Sequence, residues 1–427
     1  MITPLPYQTP IVAAIQRSLR AGKPHLETSD TGTGKTFMAL LAAREISQHI
    51  RVICPISVQT AWLEAAEATG ASLEFVANIE ALKPSRFLVA HTTTRRGRDG
   101  QDKKTTTYTW TQPIPDDAVL ILDEAHRFFS SDSSQAAAIA WSWAPRPAIL
   151  LSATPFDTIL KTKAVHVLFR LTTPSAWWVY VQRKYRASRG FFGGLQISRQ
   201  RDTEALASLR EALGPHMTGL RKADLVQYFP PVIIHTRTLP VDNPEQLESL
   251  YVQDLERLRD ETDVAAVEFL RSRQIAEAMM APLVSELMDD YAAQGNTVLA
   301  FVNFKATLKV LPAQAVFHGE LSKEEKDAFV SGVQANRVTK GALTLDAGGE
   351  SITLDDQTGS NPRVLFVIAG VTARAIIQAI GRGNRAKSKS PLTVFILFPD
   401  CPSGRRIRRI VDAKKTNLET ILDSELL

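Results

Sequence analysis

Ser29-Asp-Thr-Gly-Thr-Gly-Lys-Thr36 is the stretch on which the fold turns. It fits the pattern G-x-x-x-x-G-K-[ST], except that Ser29 stands where the first glycine is usual. Consecutive backbone N–H groups cradle phosphates only where no side chain blocks the approach, and Gly32 and Gly34 meet that need. A helix starting near Lys35 adds the positive end of its dipole. Lys35 is expected to reach the β- and γ-phosphates, and the Thr36 hydroxyl to hold Mg²⁺. Asp30, Thr31 and Thr33 complete the nucleotide-binding stretch. The competing reading is a chance Gly-Lys-Thr in a loop, since the upstream strand signal, His25–Thr28, is short.

Val119-Leu-Ile-Leu-Asp-Glu-Ala-His126 weighs against chance. A buried apolar strand that ends in two carboxylates is what a magnesium-dependent hydrolase of nucleoside triphosphates requires. Asp123 acts through the Mg²⁺ shell and Glu124 polarises the attacking water. Acidic residues also favour helix N-termini, but that alone does not explain their position downstream of Lys35. ATP hydrolysis with Mg²⁺ is the expected chemistry.

Around these motifs short apolar runs alternate with helical stretches. Arg51–Cys54, Phe87–Ala90, Val119–Leu122 and Ile149–Leu151 read as strands, and Phe37–His49 and Ser57–Thr69 as helices. That alternation predicts an α/β domain with a parallel sheet. His91–Gln112, rich in threonine with Arg95, Arg96, Arg98, Lys103 and Lys104, reads as a polar hairpin or loop. A long helical region, Pro244–Ala293, precedes a second alternation: Val298–Val302, Ala315–Phe317, Gly341–Leu345, Val364–Ile368 and Thr393–Phe398. Between the two lies an aromatic, basic stretch with a glycine-rich loop, Gly190–Gly194. The organisation expected is a first α/β domain over 1–165, an intervening segment over 166–240, a second α/β domain over 241–404 and a basic helix over 405–427.

Composition bounds the class. The 427 residues are 44% apolar and 22% charged, ordinary for a globular chain. The longest apolar run, Val364–Val371, is of strand length, so no membrane span is expected. Met1-Ile-Thr-Pro-Leu-Pro-Tyr7 has no charged or apolar leader region. The two cysteines, Cys54 and Cys401, form no CxxC pair, which excludes a disulfide framework or zinc ribbon. An intracellular, cytoplasmic location is the expectation. Net charge is +5, but Lys161–Pro240 holds 13 Lys and Arg against 4 Asp and Glu. That local +9 leaves −4 for the remainder, and a basic middle points to a polyanion partner or to a solvated basic face.

In this order the motifs resemble superfamily 2 helicases and translocases, whose fold is two tandem RecA-like P-loop domains. Asp123-Glu-Ala-His126 spells a DEAH box. The resemblance implies that Gln8 reads the adenine edge while Tyr7 stacks, that Pro55–Trp62 stands as motif Ia on a nucleic-acid backbone, and that Ser152-Ala-Thr154 is motif III, coupling nucleotide state to strand grip. His126 is expected to bridge to the other domain. Leu299–Phe304 resembles motif IV, and Thr344–Leu354, with Gly349, resembles motif V. Gln378-Ala-Ile-Gly-Arg-Gly-Asn-Arg385 matches QxxGRxxR of motif VI. Gln378, Arg382 and Arg385 are thereby implied in catalysis, the arginines as fingers from the opposite domain on the charge that builds on the γ-phosphate. The Ala347-Gly-Gly form of motif V is similar to helicases of phages and large DNA viruses and to the Swi/Snf and strawberry-notch-like branch.

The resemblance implies an ATP-dependent DNA helicase or translocase that contacts single-stranded, duplex or branched DNA through its phosphates, with replication, recombination or repair proteins as partners. Candidate contacts are the Arg95/Arg96/Arg98 loop, Arg183, Lys184, Arg186 and Arg189, and Arg405–Arg409. Trp177 and Trp178 read as core residues before base-stacking ones. The alternatives are an RNA helicase or RNA-stimulated ATPase, an ATP-gated clamp that recruits a partner, and an unrelated P-loop enzyme.

Overall fold

The computed structural model describes residues 2–78, 87–96, 102–130, 133–189, 194–260, 264–348 and 352–422. The chain divides into two compact units. The first runs to Arg221 and takes in a segment from Thr416; the second covers Lys222–Lys415.

The strands of the first unit are β1 (His25–Glu27), β2 (Ile50–Ile53), β3 (Leu73–Ala77), β4 (Leu88–Arg96), β5 (Asp102–Trp110), β6 (Val119–Leu122), β7 (Ala148–Leu151), β8 (Ser188–Arg189), β9 (Leu195–Gln196) and β10 (Met217–Thr218). Six of them form one parallel sheet in the order β10-β1-β7-β6-β2-β3. Every residue of β1, β2, β6 and β7 is buried, as a sheet covered by helices on both faces demands. The covering core includes Ile15 and Leu19 of helix Thr9–Arg20, Leu40 of helix Lys35–Ala43 and Trp62 of helix Gln59–Thr69.

The second unit contains β11 (Val232–Leu239), β12 (Thr297–Val302), β13 (Ala315–Phe317), β14 (Lys340–Thr344), β15 (Arg363–Ile368) and β16 (Leu392–Pro399). They too form a parallel six-stranded sheet, ordered β11-β16-β15-β12-β14-β13. Two α/β units with parallel sheets are the RecA-like architecture expected from the motifs.

Several local expectations change. Phe87–Ala90 is no strand of the main sheet: it opens β4, which pairs antiparallel with β5 in a separate hairpin. The stretch 166–240 is shared out, residues up to Arg221 packing in the first unit and the rest in the second. The reason is burial. His166 is buried in an aromatic cage, edge-on to Trp177 at 5.0 Å and Tyr180 at 5.4 Å, with Nε2 2.9 Å from the Tyr185 hydroxyl. Trp177 is therefore core, while Trp178 is exposed. Most of the Gly190–Gly194 loop and Arg98 lie outside the described residues. The long helical region is two helices, Pro244–Asp260 and Val264–Ala293. The C-terminal helix is Pro402–Leu422; its end is built into the first unit, where Asn417 Nδ2 donates to Asp157 O at 3.0 Å and to Asp202 Oδ2 at 3.2 Å. Leu418 and Ile421 beside it are fully buried. No helix among the described residues is long and apolar enough to cross a membrane.

Two buried histidines set an acid limit on the first unit. Burial lowers His25 to about 3 and His166 to about 4. Both stay neutral in the fold while the unfolded chain protonates them near 6.5. The stability they contribute is whole above pH 6.5 and is lost as pH falls towards 4. The expected slope is roughly 1.4 kcal/mol per pH unit for each histidine. The raised carboxyls of Glu27 and Asp123 act in the opposite sense, so chemical unfolding at pH 7.5, 6, 5 and 4.5 is compared between wild type and His166→Gln. A pH slope that the substitution leaves unchanged would contradict it.

Candidate active site

The P-loop follows β1, at the carboxyl end of the parallel sheet where α/β folds place ligands. Gly32 and Gly34 have φ of 83° and 92°, left-handed values that a side chain resists. At Gly34 space matters as well, because a Cβ would lie 2.4 Å from Gln8 Nε2. Helix Lys35–Ala43 starts directly after Gly34, so its free N–H groups face the loop. The Lys35 ammonium is held inside the loop, donating to Ser29 O at 2.7 Å and Asp30 O at 3.0 Å. Thr33 Oγ1 donates to Asp30 O at 2.8 Å, while Thr31 and Thr36 are half-buried.

Ser29, the departure from the usual glycine, has a structural role. Its backbone N donates to Glu27 Oε1 at 3.0 Å, its hydroxyl donates to the same oxygen, and it accepts from Leu220 N at 2.8 Å. Glu27 is fully buried, and burial raises its carboxyl pKa against the pull of Lys35 and Arg221. Arg221 Nη1 donates to Thr28 O at 2.6 Å and lies 3.5 Å from Asp30 Oδ1. Thus β10 and the residues after it brace the loop from beneath. Neither Glu27 nor Arg221 carries a motif signature. The one signal in the sequence is the unusual serine, which asks for a partner.

Tyr7 and Gln8 sit on this loop. Gln8 is buried, donating from Nε2 to Thr33 O at 2.9 Å and accepting at Oε1 from Leu5 N at 2.9 Å; the Tyr7 hydroxyl lies 3.4 Å from Thr33 O. Both residues are thereby next to the loop that a nucleotide base would flank.

Asp123 and Glu124 follow β6. Asp123 Oδ2 accepts from Trp62 Nε1 at 2.9 Å, and Oδ1 accepts from Glu124 N at 2.9 Å. Burial, with Glu124 alongside, raises Asp123 to about 6, and burial likewise pushes the neighbouring Cys54 thiol up to about 12. Glu124 has φ 46°, a sparsely populated conformation for a non-glycine residue and typical of functional turns. His126 Nδ1 lies 3.2 Å from Glu124 Oε2 and 3.1 Å from Ser152 Oγ. Ser152 Oγ also accepts from Thr154 N at 3.3 Å, and Ser152 N donates to Glu27 O at 3.1 Å. Those contacts of His126, expected to bridge domains, join the carboxylate pair to Ser152-Ala-Thr154 within the first unit.

Trp62, expected in a nucleic-acid contact, is instead buried and orients Asp123. Sequence does not show this, because donor and acceptor are 61 residues apart. Trp62→Phe retains the ring and removes the donor. Turnover is expected to fall about tenfold and the half-saturating magnesium concentration to rise, matching loss of one hydrogen bond to a charged group. Unchanged magnesium dependence would reduce Trp62 to a packing residue.

These residues fit ATP and Mg²⁺. The loop presents glycines, a helix N-terminus and an ammonium to the phosphates, and Asp123 and Thr36 offer oxygens of the kind magnesium shares with nucleotide phosphates.

In the second unit Gln378 and Arg382 lie on helix Ala373–Gly383, Gln378 half-buried and Arg382 buried. Arg385 Nη2 donates to Ile352 O at 2.8 Å, and burial lowers its guanidinium pKa against the pull of Asp355. The end of Leu299–Phe304, the stretch that resembles motif IV, is anchored by buried Glu277, which accepts from Asn303 N, Asn303 Nδ2, Phe304 N and Thr307 Oγ1 at 2.7–3.1 Å. Gly349 lies outside the described residues.

Residues 1–157 match the family model described as Type III restriction enzyme, res subunit. The chain is 25% identical over 94% of its length to a protein of Acanthamoeba polyphaga mimivirus named as an ATP-dependent RNA helicase, and covers 80% of that protein. Among solved structures it is similar to the Sulfolobus solfataricus SWI2/SNF2 ATPase core in complex with dsDNA, at 14% identity and TM-score 0.39, covering 93% of this chain and 88% of that one. The same core domain solved separately gives 15% identity, TM-score 0.39 and coverage of 99% and 91%.

Proposed function

We propose that this chain, a helicase-family ATPase of superfamily 2, is an ATP-driven motor on DNA. The observation that carries the reading is the His126 bridge: one imidazole nitrogen lies within reach of both the Glu124 carboxylate and the Ser152 hydroxyl. Whatever changes at Glu124 during hydrolysis is thus felt in the Ser152–Thr154 segment, the relay a motor needs and a static nucleotide binder does not.

In the reaction, the loop N–H groups and Lys35 hold the phosphates, and Asp123, oriented by Trp62, helps to hold the metal. Glu124 accepts the proton of the attacking water, with His126 fixing its carboxylate. Bound Mg²⁺ supplies charge neutralisation on the phosphate oxygens. Arg382 and Arg385 are assigned to the charge that develops on the γ-phosphate. Binding to nucleic acid is through phosphates, hence salt-dependent and largely sequence-independent. Replication, recombination or repair proteins are the partners such a motor serves, inside the cell.

DNA is preferred over RNA on the form of motif V. RNA is the second reading, favoured by the name of the mimivirus relative. Steady-state ATP hydrolysis at one low salt concentration, with no nucleic acid, single-stranded, duplex or forked DNA, or RNA, separates them. Stimulation by a DNA form well above that by RNA is expected. Stimulation by RNA alone would transfer the assignment, and none at all would leave an ATP-gated clamp.

A further inference from the structure

The hairpin β4–β5 belongs to neither main sheet. Its strands pair in register from Leu88↔Trp110 to Arg96↔Asp102, nine residues each, a ribbon about 30 Å long at the usual antiparallel rise. Its root is firmly built. Leu88 is buried, Trp110 Nε1 donates to Ser142 Oγ at 3.1 Å, and Trp110 stands edge-on to Trp143 at 5.4 Å. The buried Arg51 guanidinium lies over Phe75, Trp110 and Trp143 at 5.3–5.8 Å. Phe75 is on β3, the edge of the main sheet farthest from β1 and its P-loop.

Beyond the root the ribbon loses its apolar support. Val89 through Thr94 are exposed, and the strands are held by threonine hydroxyls, Thr92 to Thr106 at 3.1 Å, and by His91 Nε2 to Thr109 Oγ1 at 2.8 Å. A two-stranded ribbon of this kind is marginal by itself. Yet register sets Arg95 directly opposite Lys103 and Lys104 opposite Thr94, with Asp102 opposite Arg96. The far end thus carries four basic residues, Arg95, Arg96, Lys103 and Lys104, against the single acid Asp102. By register position, Arg95 and Lys103 belong to one face of the ribbon, Arg96 and Lys104 to positions one step along each strand, where the pleat alternates.

We infer that this ribbon is a duplex-DNA element, entering the major groove with its basic end and binding the phosphates on either side. Positive charge on both faces suits a groove walled by phosphates, whereas a single strand would meet one face. The major groove of B-form DNA admits a two-stranded ribbon; that of A-form RNA is too deep and narrow. The inference rests on the DNA-motor reading, and its test separates the two.

The full chain carrying Arg95→Ala, Arg96→Ala, Lys103→Ala and Lys104→Ala together is compared with wild type for binding to single-stranded DNA, duplex DNA and duplex RNA across a salt series. A second variant joins Ala90 to Tyr108 through Asn-Gly, removing the far ribbon and keeping its root. In both, the duplex-DNA Kd is expected to rise at least about tenfold, and the slope of log Kd against log salt to fall by about 3 to 4. Single-strand binding should stay within about twofold of wild type, since the phosphates that the ribbon engages are those of the duplex. Equal weakening on single strand and duplex, equal weakening on duplex RNA, or none at all would overturn the ribbon's role while DNA-stimulated turnover of the wild type still stood. A wild type that neither binds DNA nor is stimulated by it would overturn both.

Discussion

Lys35→Ala is expected to reduce ATP turnover by about a thousandfold or more, the scale seen when a charge-stabilising donor leaves a phosphoryl-transfer site. The ammonium already sits at the mouth of the helix, held at 2.7 and 3.0 Å by the Ser29 and Asp30 carbonyls, so its positioning is set before the nucleotide arrives. Removing it takes away the cation nearest the terminal phosphates and leaves a loop built for anions with only its N–H groups. The fold should tolerate the change. Two hydrogen bonds from the ammonium to backbone carbonyls disappear, about 1.5 kcal/mol each at this part-buried site, and Glu27 beneath the loop keeps Arg221. Turnover and thermal unfolding of the same preparation check this. Activity within tenfold of wild type would show that Ser29–Thr36 is not the nucleotide loop.

Glu124→Gln should lower turnover by about 10² to 10⁴ and leave ATP binding intact. The amide has the shape of the carboxylate but cannot accept the water's proton. Because the Glu124 backbone is held at φ 46° and the side chain lies against His126, the replacement should stay in place. The two substitutions are expected to differ in kind: without Lys35 the nucleotide binds poorly, whereas without the Glu124 carboxylate it binds and remains. Equilibrium binding of a fluorescent ATP analogue beside single-turnover hydrolysis distinguishes them. A glutamine variant that turns over at the normal rate would remove Glu124 from the role of base.

The parts that sequence discloses are those in which chemistry and position coincide. Gly32, Gly34, Lys35 and Thr36 are adjacent in the chain because one turn must present them together, and Asp123 and Glu124 ride the end of one buried strand. Val119–Leu122 and Val364–Ile368 are legible as strands because sheets covered on both faces need unbroken apolar runs. What escapes depends on partners distant in sequence. β10 is two residues long with no periodicity of its own, and it is a strand because β1 offers an edge to pair with. Trp62 looks like an ordinary member of helix Gln59–Thr69, since only the fold brings Asp123 to its N–H. Phe87–Ala90 has the composition of a core strand, but the threonines after it favour an exposed ribbon over a buried sheet position. The 166–240 stretch reads as separate because its charges dominate the count, whereas its buried residues, His166, Trp177 and Tyr185 among them, decide where it packs.

The central claim is that hydrolysis at this site moves the protein along DNA, and release of a third strand from a triplex formed on duplex DNA tests it most directly. With wild-type protein and ATP, the third strand should be displaced in a time course that lengthens with the duplex track leading to it, and neither Lys35→Ala nor Glu124→Gln should displace it. If ATP is hydrolysed at a DNA-stimulated rate while the third strand stays bound, the enzyme does not travel on duplex DNA, and the reading as a duplex-DNA motor fails.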